Sequence, residues 1–266
     1  MTDPTALRDL CARYARAAGE LALAGRRQAG HGLGRSTKSS PTDLVTEFDQ
    51  AAERLIVDAI RADRPDDAIV GEEGTDQPGI SGYAWHIDPI DGTTNFVYDL
   101  PAWSCSVGVT YDGATVAGAV YVPPLDELFT AAAGAGADLN GTAIRVNPIS
   151  DTSVALVATG FAYQPTTRTA QAELVAELIG HVRDIRRLGS AAIDLCHVAC
   201  GRVDAYYELG LNSWDITAGE LIAREAGAST SDWSGAAPTP QRLLAAAPGI
   251  HAALLRLLEH AAPTPA

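Results

Sequence analysis

Concentrated positive charge is missing from this sequence. Its 19 Lys and Arg residues are scattered along 266 positions and stand against 33 Asp and Glu, a net charge of −14. A nucleic-acid backbone or an anionic membrane calls for a basic footprint, so neither is expected as a partner. The four cysteines, Cys11, Cys105, Cys196 and Cys200, form no CxxC pair and show no Cys/His spacing of a zinc site. They read as small core residues in a reducing compartment. No run of about 18 apolar residues occurs. The opening MTDPTALRDL lacks the basic start and apolar block of a secretion signal. A cytoplasmic location is therefore expected. Sharp composition shifts, long linkers and internal repeats are also missing.

What is present is a chain with 47% hydrophobic residues, enough for a well-buried core. Residues 5 to 29 carry Leu7, Leu10, Cys11, Tyr14, Leu21 and Leu23 at helical spacing, ended by Gly30 and Gly32. A second helix is predicted from about Pro41 to Arg64, with Val45, Phe48, Ala52, Leu55, Ile56, Ala59 and Ile60 as its apolar stripe and Pro65 as its stop. Short strands follow at DAIVGEE (67 to 73) and YAWHIDPID (83 to 91). WSCSVGVTYDG and ATVAGAVYVPP read as a hairpin turning at Asp112-Gly113, and another turn falls at Asn140-Gly141. After residue 145 strands and helices alternate, which predicts a more parallel sheet with helices on its faces. Two fused halves, 1 to 145 and 146 to 266, are expected to meet at a ligand cleft.

Three acidic clusters end apolar segments or begin helices: Glu72-Glu73 after DAIVG, Asp88 and Asp91 in WHIDPIDGTTNF, and Asp215 in NSWDITAGE. Singly, each is explained by a strand end, a helix cap or a solvated surface. Together they are not, because several carboxylates cannot stay ionised side by side in a cleft unless cations neutralise them. An all-oxygen donor set without Cys or His suits Mg2+ rather than zinc. Pro89 has no N–H, so the strand ladder is expected to stop there and the Ile90 carbonyl to turn toward an ion. Gly92 permits a tight turn, and Thr93-Thr94-Asn95 can open a helical turn whose free N–H groups bind phosphate.

GEE (71 to 73), DPIDGTTNF (88 to 96) and WDITAGELIAREAG (214 to 227) resemble, in order and separation, the motifs of the inositol monophosphatase family of Mg2+-dependent, lithium-sensitive phosphomonoesterases. KSSPTDLVTEFDQ (38 to 50), RRLGSAAIDLC (186 to 196) and GRVDAYYELG (201 to 210) match as well, so the resemblance covers nearly the whole chain. FVYDLPAWSCSVG and DAYYELG are similar to the inositol monophosphatase branch, including its bacterial extragenic-suppressor type. Phe48 departs from the family, which often has Thr there.

The resemblance implies an α+β / α/β fold: a layered αβαβα sandwich of the inositol monophosphatase and fructose-1,6-bisphosphatase type, with a mainly antiparallel N-terminal sheet. It implies two or three Mg2+ per site. Glu72, Asp88 and the Ile90 carbonyl would hold one ion, Asp88, Asp91 and Asp215 a second, and Glu72 would share a third. Thr93, hydrogen-bonded to Asp49 and near Glu72, would orient and help deprotonate the attacking water. N–H groups of Gly92 and Thr93 would hold the phosphate. Substrate hydroxyls would meet Asp91, Ser190, Ala191, Glu208 and the Asp215 side of the pocket, and Lys38 and Asp43 would belong to a mobile loop. A homodimer acting on inositol 1-phosphate is the implied form.

Other readings stand beside this one. A haloacid-dehalogenase-type phosphatase also places two aspartates before Gly-Thr, but with one residue between them where this sequence has Pro89 and Ile90. A non-catalytic regulatory relative would keep the fold and lose ligands. Within the superfamily, fructose 1,6-bisphosphate, histidinol phosphate or another sugar phosphate are alternative substrates. His86 and His197 read as structural, Trp85, Trp103 and Trp214 as aromatics flanking the site, and residues 161 to 170 as the pocket rim.

Overall fold

The computed structural model describes residues 2–30, 36–37 and 44–261. In chain order its elements are α1 (Pro4–Ala29), β1 (Ser36–Thr37), β2 (Leu44–Val45), α2 (Glu47–Asp63), β3 (Ala68–Gly71), β4 (Asp76–Gln77), β5 (Tyr83–Asp91), α3 (Thr93–Val97), β6 (Ser104–Tyr111), β7 (Ala114–Val122), β8 (Glu127–Ala132), β9 (Gly136–Leu139) and β10 (Thr142–Ala143). β11 (Leu156–Thr159), α4 (Pro165–Leu178), β12 (Asp184–Arg186), α5 (Ala191–Ala199), β13 (Ala205–Leu209), α6 (Ser213–Glu225), β14 (Ser229–Ser231), β15 (Arg242–Ala246) and α7 (Pro248–Ala261) complete it. No described helix is long and apolar enough to cross a membrane.

The helix ends follow local chemistry. Asp3 caps α1 by accepting from Thr5 N at 2.9 Å, with Pro4 in the first turn where no N–H is needed. The second helix starts at Glu47 rather than near Pro41, because Thr46 and Asp49 form a capping box that fixes the first turn there. Val45, read as part of the helical stripe, belongs to β2 instead.

Two sheets carry the fold. The larger runs β10-β9-β8-β7-β6-β5-β3-β4, antiparallel except for β3 and β5; the smaller runs β12-β11-β13-β15-β14, parallel at β11–β12 and β11–β13. The second sheet is thus the more parallel one, and β14 is an edge strand without an apolar signature. Asp112 and Gly113, both at positive φ, make the β6–β7 hairpin, and Asn140 and Gly141 make the β9–β10 turn. At Pro89 the ladder does not end as expected. It slips by one residue: Asp88 pairs with Ser106 and Asp91 with Ser104, so a bulge absorbs the missing N–H and β5 continues to Asp91.

Hydrophobic contacts stack these elements in five layers. Leu7, Cys11 and Tyr14 of α1 and Ile56 and Ile60 of α2 pack on Trp85, Ile87 and Val107 of the large sheet. Its opposite face, through Val120, Phe129 and Ala131, meets Ile193 and Cys196 of α5 and Leu221 and Ile222 of α6. The same two helices turn Leu195, Val198 and Ala223 toward Tyr206 and Leu243 of the small sheet. Tyr207, Leu244 and Ala246 on its far side pack under Leu174 of α4 and Leu254 of α7. The layered αβαβα sandwich implied by the resemblance is the fold. Tyr206 and Tyr207 face opposite layers, as period-two alternation requires.

Contact between α6 and the large sheet is close because two strand positions have no side chain. A Cβ on Gly108 would lie 2.6 Å from Thr217 Cγ2, and one on Gly118 would lie 2.8 Å from Ala218 Cα. Gly118→Ala is expected to destabilise the protein by about 1–3 kcal/mol through overpacking. A lowered urea midpoint at unchanged m-value would show it; an unchanged midpoint would refute the close approach.

Candidate active site

The carboxylates that the sequence singled out converge. One oxygen each of Asp88, Asp91 and Asp215 lies within 4.8 Å of the others. Glu72 lines the same cleft of about 290 Å³, together with Ile90, Gly92, Thr93, Ser190, Ala191 and Glu208. Rim residues Phe161, Ala162, Tyr163 and Gln164 close one side, and Trp214 lines it too, whereas Trp85 and Trp103 are core residues behind it. Lys38 and Asp43 lie outside the described residues.

Backbone geometry explains how each acid arrives. The Asp88–Asp91 bulge puts both acids near one spot, and the Ile90 N–H donates to Asp88 Oδ1 at 3.0 Å. Gly92 sits at φ 93°, and a Cβ there would be 2.9 Å from the Ala102 carbonyl, so the position needs glycine twice over. α3 starts directly after it. Asn95 Nδ2 donates to the carbonyls of Ala102 at 2.6 Å and Leu188 at 2.8 Å, binding this turn to the loop that leads into α5. Asp215 enters from the first turn of α6, where Asn212 N donates to Oδ2 at 2.6 Å.

Asp91 is tied to a third element. Its Oδ2 accepts from Ser190 Oγ at 2.6 Å and from Ala192 N at 2.7 Å, at the start of α5. Ser190, expected to meet a substrate hydroxyl, thus holds Asp91 in place. Thr93 Oγ1 lies 3.3 Å from Asp49 Oδ1 and 3.1 Å from the Ile90 carbonyl, donating to one or the other. Asp49 Oδ2 accepts from Thr46 N at 2.8 Å and Thr46 Oγ1 at 2.6 Å, so its acceptor edge is preset. Thr93 and the implied partner Asp49 are thus within hydrogen-bond reach. Phe48, beside it, packs on Phe96 with ring centroids 6.0 Å apart.

Electrostatically the cluster is unstable on its own. Burial drives the Asp88 carboxyl well above its usual range, and the charges of Glu72, Asp91 and Asp215 add to the rise. Burial likewise raises Asp91, though the bonds from Ser190 and Ala192 hold it to about 6. Burial, then Asp91, raises Asp215. Among the described residues lining the cleft, Arg187 is the sole cation and no Cys or His is present. The donor set therefore fits a hard divalent cation, which would favour the charged forms of Asp88, Asp91 and Asp215.

Sequence reasoning passed over four contributors. Glu53 on α2 accepts from Glu73 N at 2.8 Å, Thr75 N at 3.3 Å and Thr75 Oγ1 at 2.7 Å, shaping the loop that carries Glu72. An acid four residues after Asp49, on a helix face that is otherwise apolar, was the available signal. Arg187, Asn212 and Asp194 gave none. Asp194, buried on α5, is raised by its burial and then by Glu208, and its Oδ1 has no partner among the described residues.

Comparisons with known proteins point to one family. The model of the inositol monophosphatase family matches residues 5–263. The inositol-1-monophosphatase SuhB of Mycobacterium tuberculosis is 46% identical over 235 residues, covering 84% of this chain and 80% of that protein. The Nus factor SuhB of Escherichia coli is 42% identical over 233 residues, covering 85% of each. Among solved structures, the extragenic suppressor protein SuhB of Bartonella henselae matches with a TM-score of 0.90 at 32% identity, over 96% of this chain and 98% of that one. Fold, ordered motifs and gathered acids converge on one assignment: the chain belongs to the inositol monophosphatase family, a family of phosphatases.

Proposed function

We propose that the chain hydrolyses phosphate monoesters with Mg2+, and that inositol 1-phosphate is its substrate. The observation that carries this is the convergence of Asp88, Asp91 and Asp215 within 4.8 Å, beside Glu72 and the Gly92-Thr93 turn. Two or three Mg2+ held by Glu72, Asp88, Asp91, Asp215 and the Ile90 carbonyl would supply neutralisation of phosphoryl charge and acidification of water.

The protein groups divide the remaining work. N–H groups of Gly92 and Thr93 would bind phosphate oxygens at the turn. Thr93 Oγ1 would accept a proton from the attacking water as its own passes to Asp49 Oδ1, with Glu72 beside them. Water attacks in line, so no covalent nucleophile is required. Glu208 stands across the cleft to accept from polyol hydroxyls; Tyr206 donates to its Oε2, and a Cβ on Gly160 would lie 1.9 Å away, so glycine there leaves room for the carboxylate. A homodimer belongs to the same proposal, and relatives that bear the name Nus factor SuhB motivate a regulatory role for this chain beside catalysis. A copurification with RNA polymerase from the source cell tests the latter.

Asp88→Asn is expected to lower the Mg2+-dependent rate at least about a hundredfold while leaving the circular dichroism spectrum unchanged. Initial rates on a panel of phosphate monoesters, with and without Mg2+ and Li+, are the measurement. Full activity in Asp88→Asn would sink the site, and a higher kcat/KM on fructose 1,6-bisphosphate or histidinol phosphate would move the substrate.

Glu208 yields a pH prediction. Burial raises its carboxyl from the ordinary 4.5 to about 7. A raised folded pKa means that the group's contribution to stability is fully present at acid pH and is lost as pH rises through about 7. Glu208→Gln should therefore be more stable than wild type at pH 8 and not at pH 4, by about 1–2 kcal/mol or roughly 2–4 °C in Tm. It should also raise KM for inositol 1-phosphate far more than for p-nitrophenyl phosphate, which offers no hydroxyls.

A further inference from the structure

The acids of the cluster come from a strand and from a helix packed on that strand's face. No hydrogen-bonded ladder joins two such elements, so their register has to be set by side chains. Along β5 the alternation buries Trp85 and Ile87 under α1 and α2. His86 and Asp88 therefore project to the other face, where α6 lies. His86 Nδ1 is 2.9 Å from Ser213 Oγ, and Ser213 opens α6 two residues ahead of Asp215. Ser106, which pairs with Asp88 across the ladder, donates its hydroxyl to the Trp214 carbonyl at 3.4 Å. Gly108 and Gly118 allow the helix to come close, but a smooth glycine surface gives no direction along the helix axis. The two hydrogen bonds do.

We propose that His86 is a positioning residue: through Ser213 it sets the separation between Asp215 and the Asp88–Asp91 pair, and with it the affinity of the acid cluster for a divalent cation. The inference rests on the reading of those acids as a cation site. His86 is absent from the residues lining the cleft, so it acts through Ser213 and touches neither substrate nor ion. Asp88 and Asp91 keep their spacing along one strand, and Glu72 follows β3, which is hydrogen-bonded to that strand; Asp215 comes from an element that no ladder joins to β5. A bond at the first residue of that element is therefore where small displacements reach the cluster most directly. Loss of a supporting bond of this kind costs metal affinity rather than the fold.

The test uses the full chain stripped of divalent ions, titrated with Mn2+ and with Mg2+ by calorimetry without substrate. His86→Phe keeps the ring's bulk and loses the bond; His86→Asn places an amide group where Nδ1 stood. His86→Phe and Ser213→Ala should each weaken cation binding by about tenfold, with no further loss in the double variant. His86→Asn should recover affinity to within about twofold of wild type. In the phosphatase assay the Mg2+ half-saturation should shift by the same factor while kcat at saturating Mg2+ is retained. Wild-type cation affinity in His86→Phe, additive losses in the double variant, or no rescue by asparagine would each overturn the proposal. Should His86→Phe fail to fold, Ser213→Ala against His86→Asn makes the same comparison. If the wild type binds cation and hydrolyses no ester, the functional reading falls and the positioning role stands; if it binds no cation, both fall.

Discussion

Repulsion among buried carboxylates is the constraint from which the rest of the molecule follows. Asp88, Asp91 and Asp215 share a space less than 5 Å across, with Glu72 beside them, and beyond the effect of burial the neighbouring charges raise Asp88 and Asp215. Left alone, such a cluster would be relieved by protonation or by spreading apart. The fold prevents spreading. Asp91 is held by the start of α5, Asp215 by Asn212, and Glu72 by a loop tied down by Glu53. What remains is protonation or neutralisation by cations, and the proposed function takes the second route.

Rigidity here comes from the layers. α5 and α6 lie between two sheets and use both faces, so neither helix can tilt without opening a core on one side or the other. Their starts, at Ser190 and Asn212, both end in the cleft. The DGTTN turn is locked from a third direction by Asn95, whose two bonds reach across to the loop before α5. Three segments distant in sequence thus meet with little freedom.

How much of this was legible in the sequence depended on whether the reason was local. In DPIDGTTNF several residues answer local backbone demands: proline without an N–H, glycine at positive φ, threonine opening a helical turn. Those reasons hold without knowing the partner strand, and the family resemblance rested on them. Layer order was legible through the same route. The start of α2 was misplaced although its signal, Thr46 followed by Asp49, was on the page; the apolar Val45 outweighed it. The ladder at Pro89 was expected to stop because the option of a one-residue slip depends on what β6 offers opposite. Arg187, Asn212 and Asp194 were not legible, because their surroundings are brought near only by tertiary folding. Glu53 carried a signal, an acid on an otherwise apolar helix face, but a lone acid on a helix carries no mark of the loop it will hold.

Asp91 connects the two functions that the cleft has to perform. Its Oδ2 accepts from Ser190 Oγ and Ala192 N, which ties the carboxylate to the start of α5. The helix that begins at those donors also forms the wall on which Ala191 and, behind it, Asp194 sit. Under the proposed function a cation drawing charge from Asp91 would weaken its hold on α5, and a ligand pressing on Ala191 would move the donors to Asp91. Cation and substrate would then not be independent occupants of this cleft, since each would change the environment of the same carboxylate. The coupling needs no moving domain, only the short path of two hydrogen bonds.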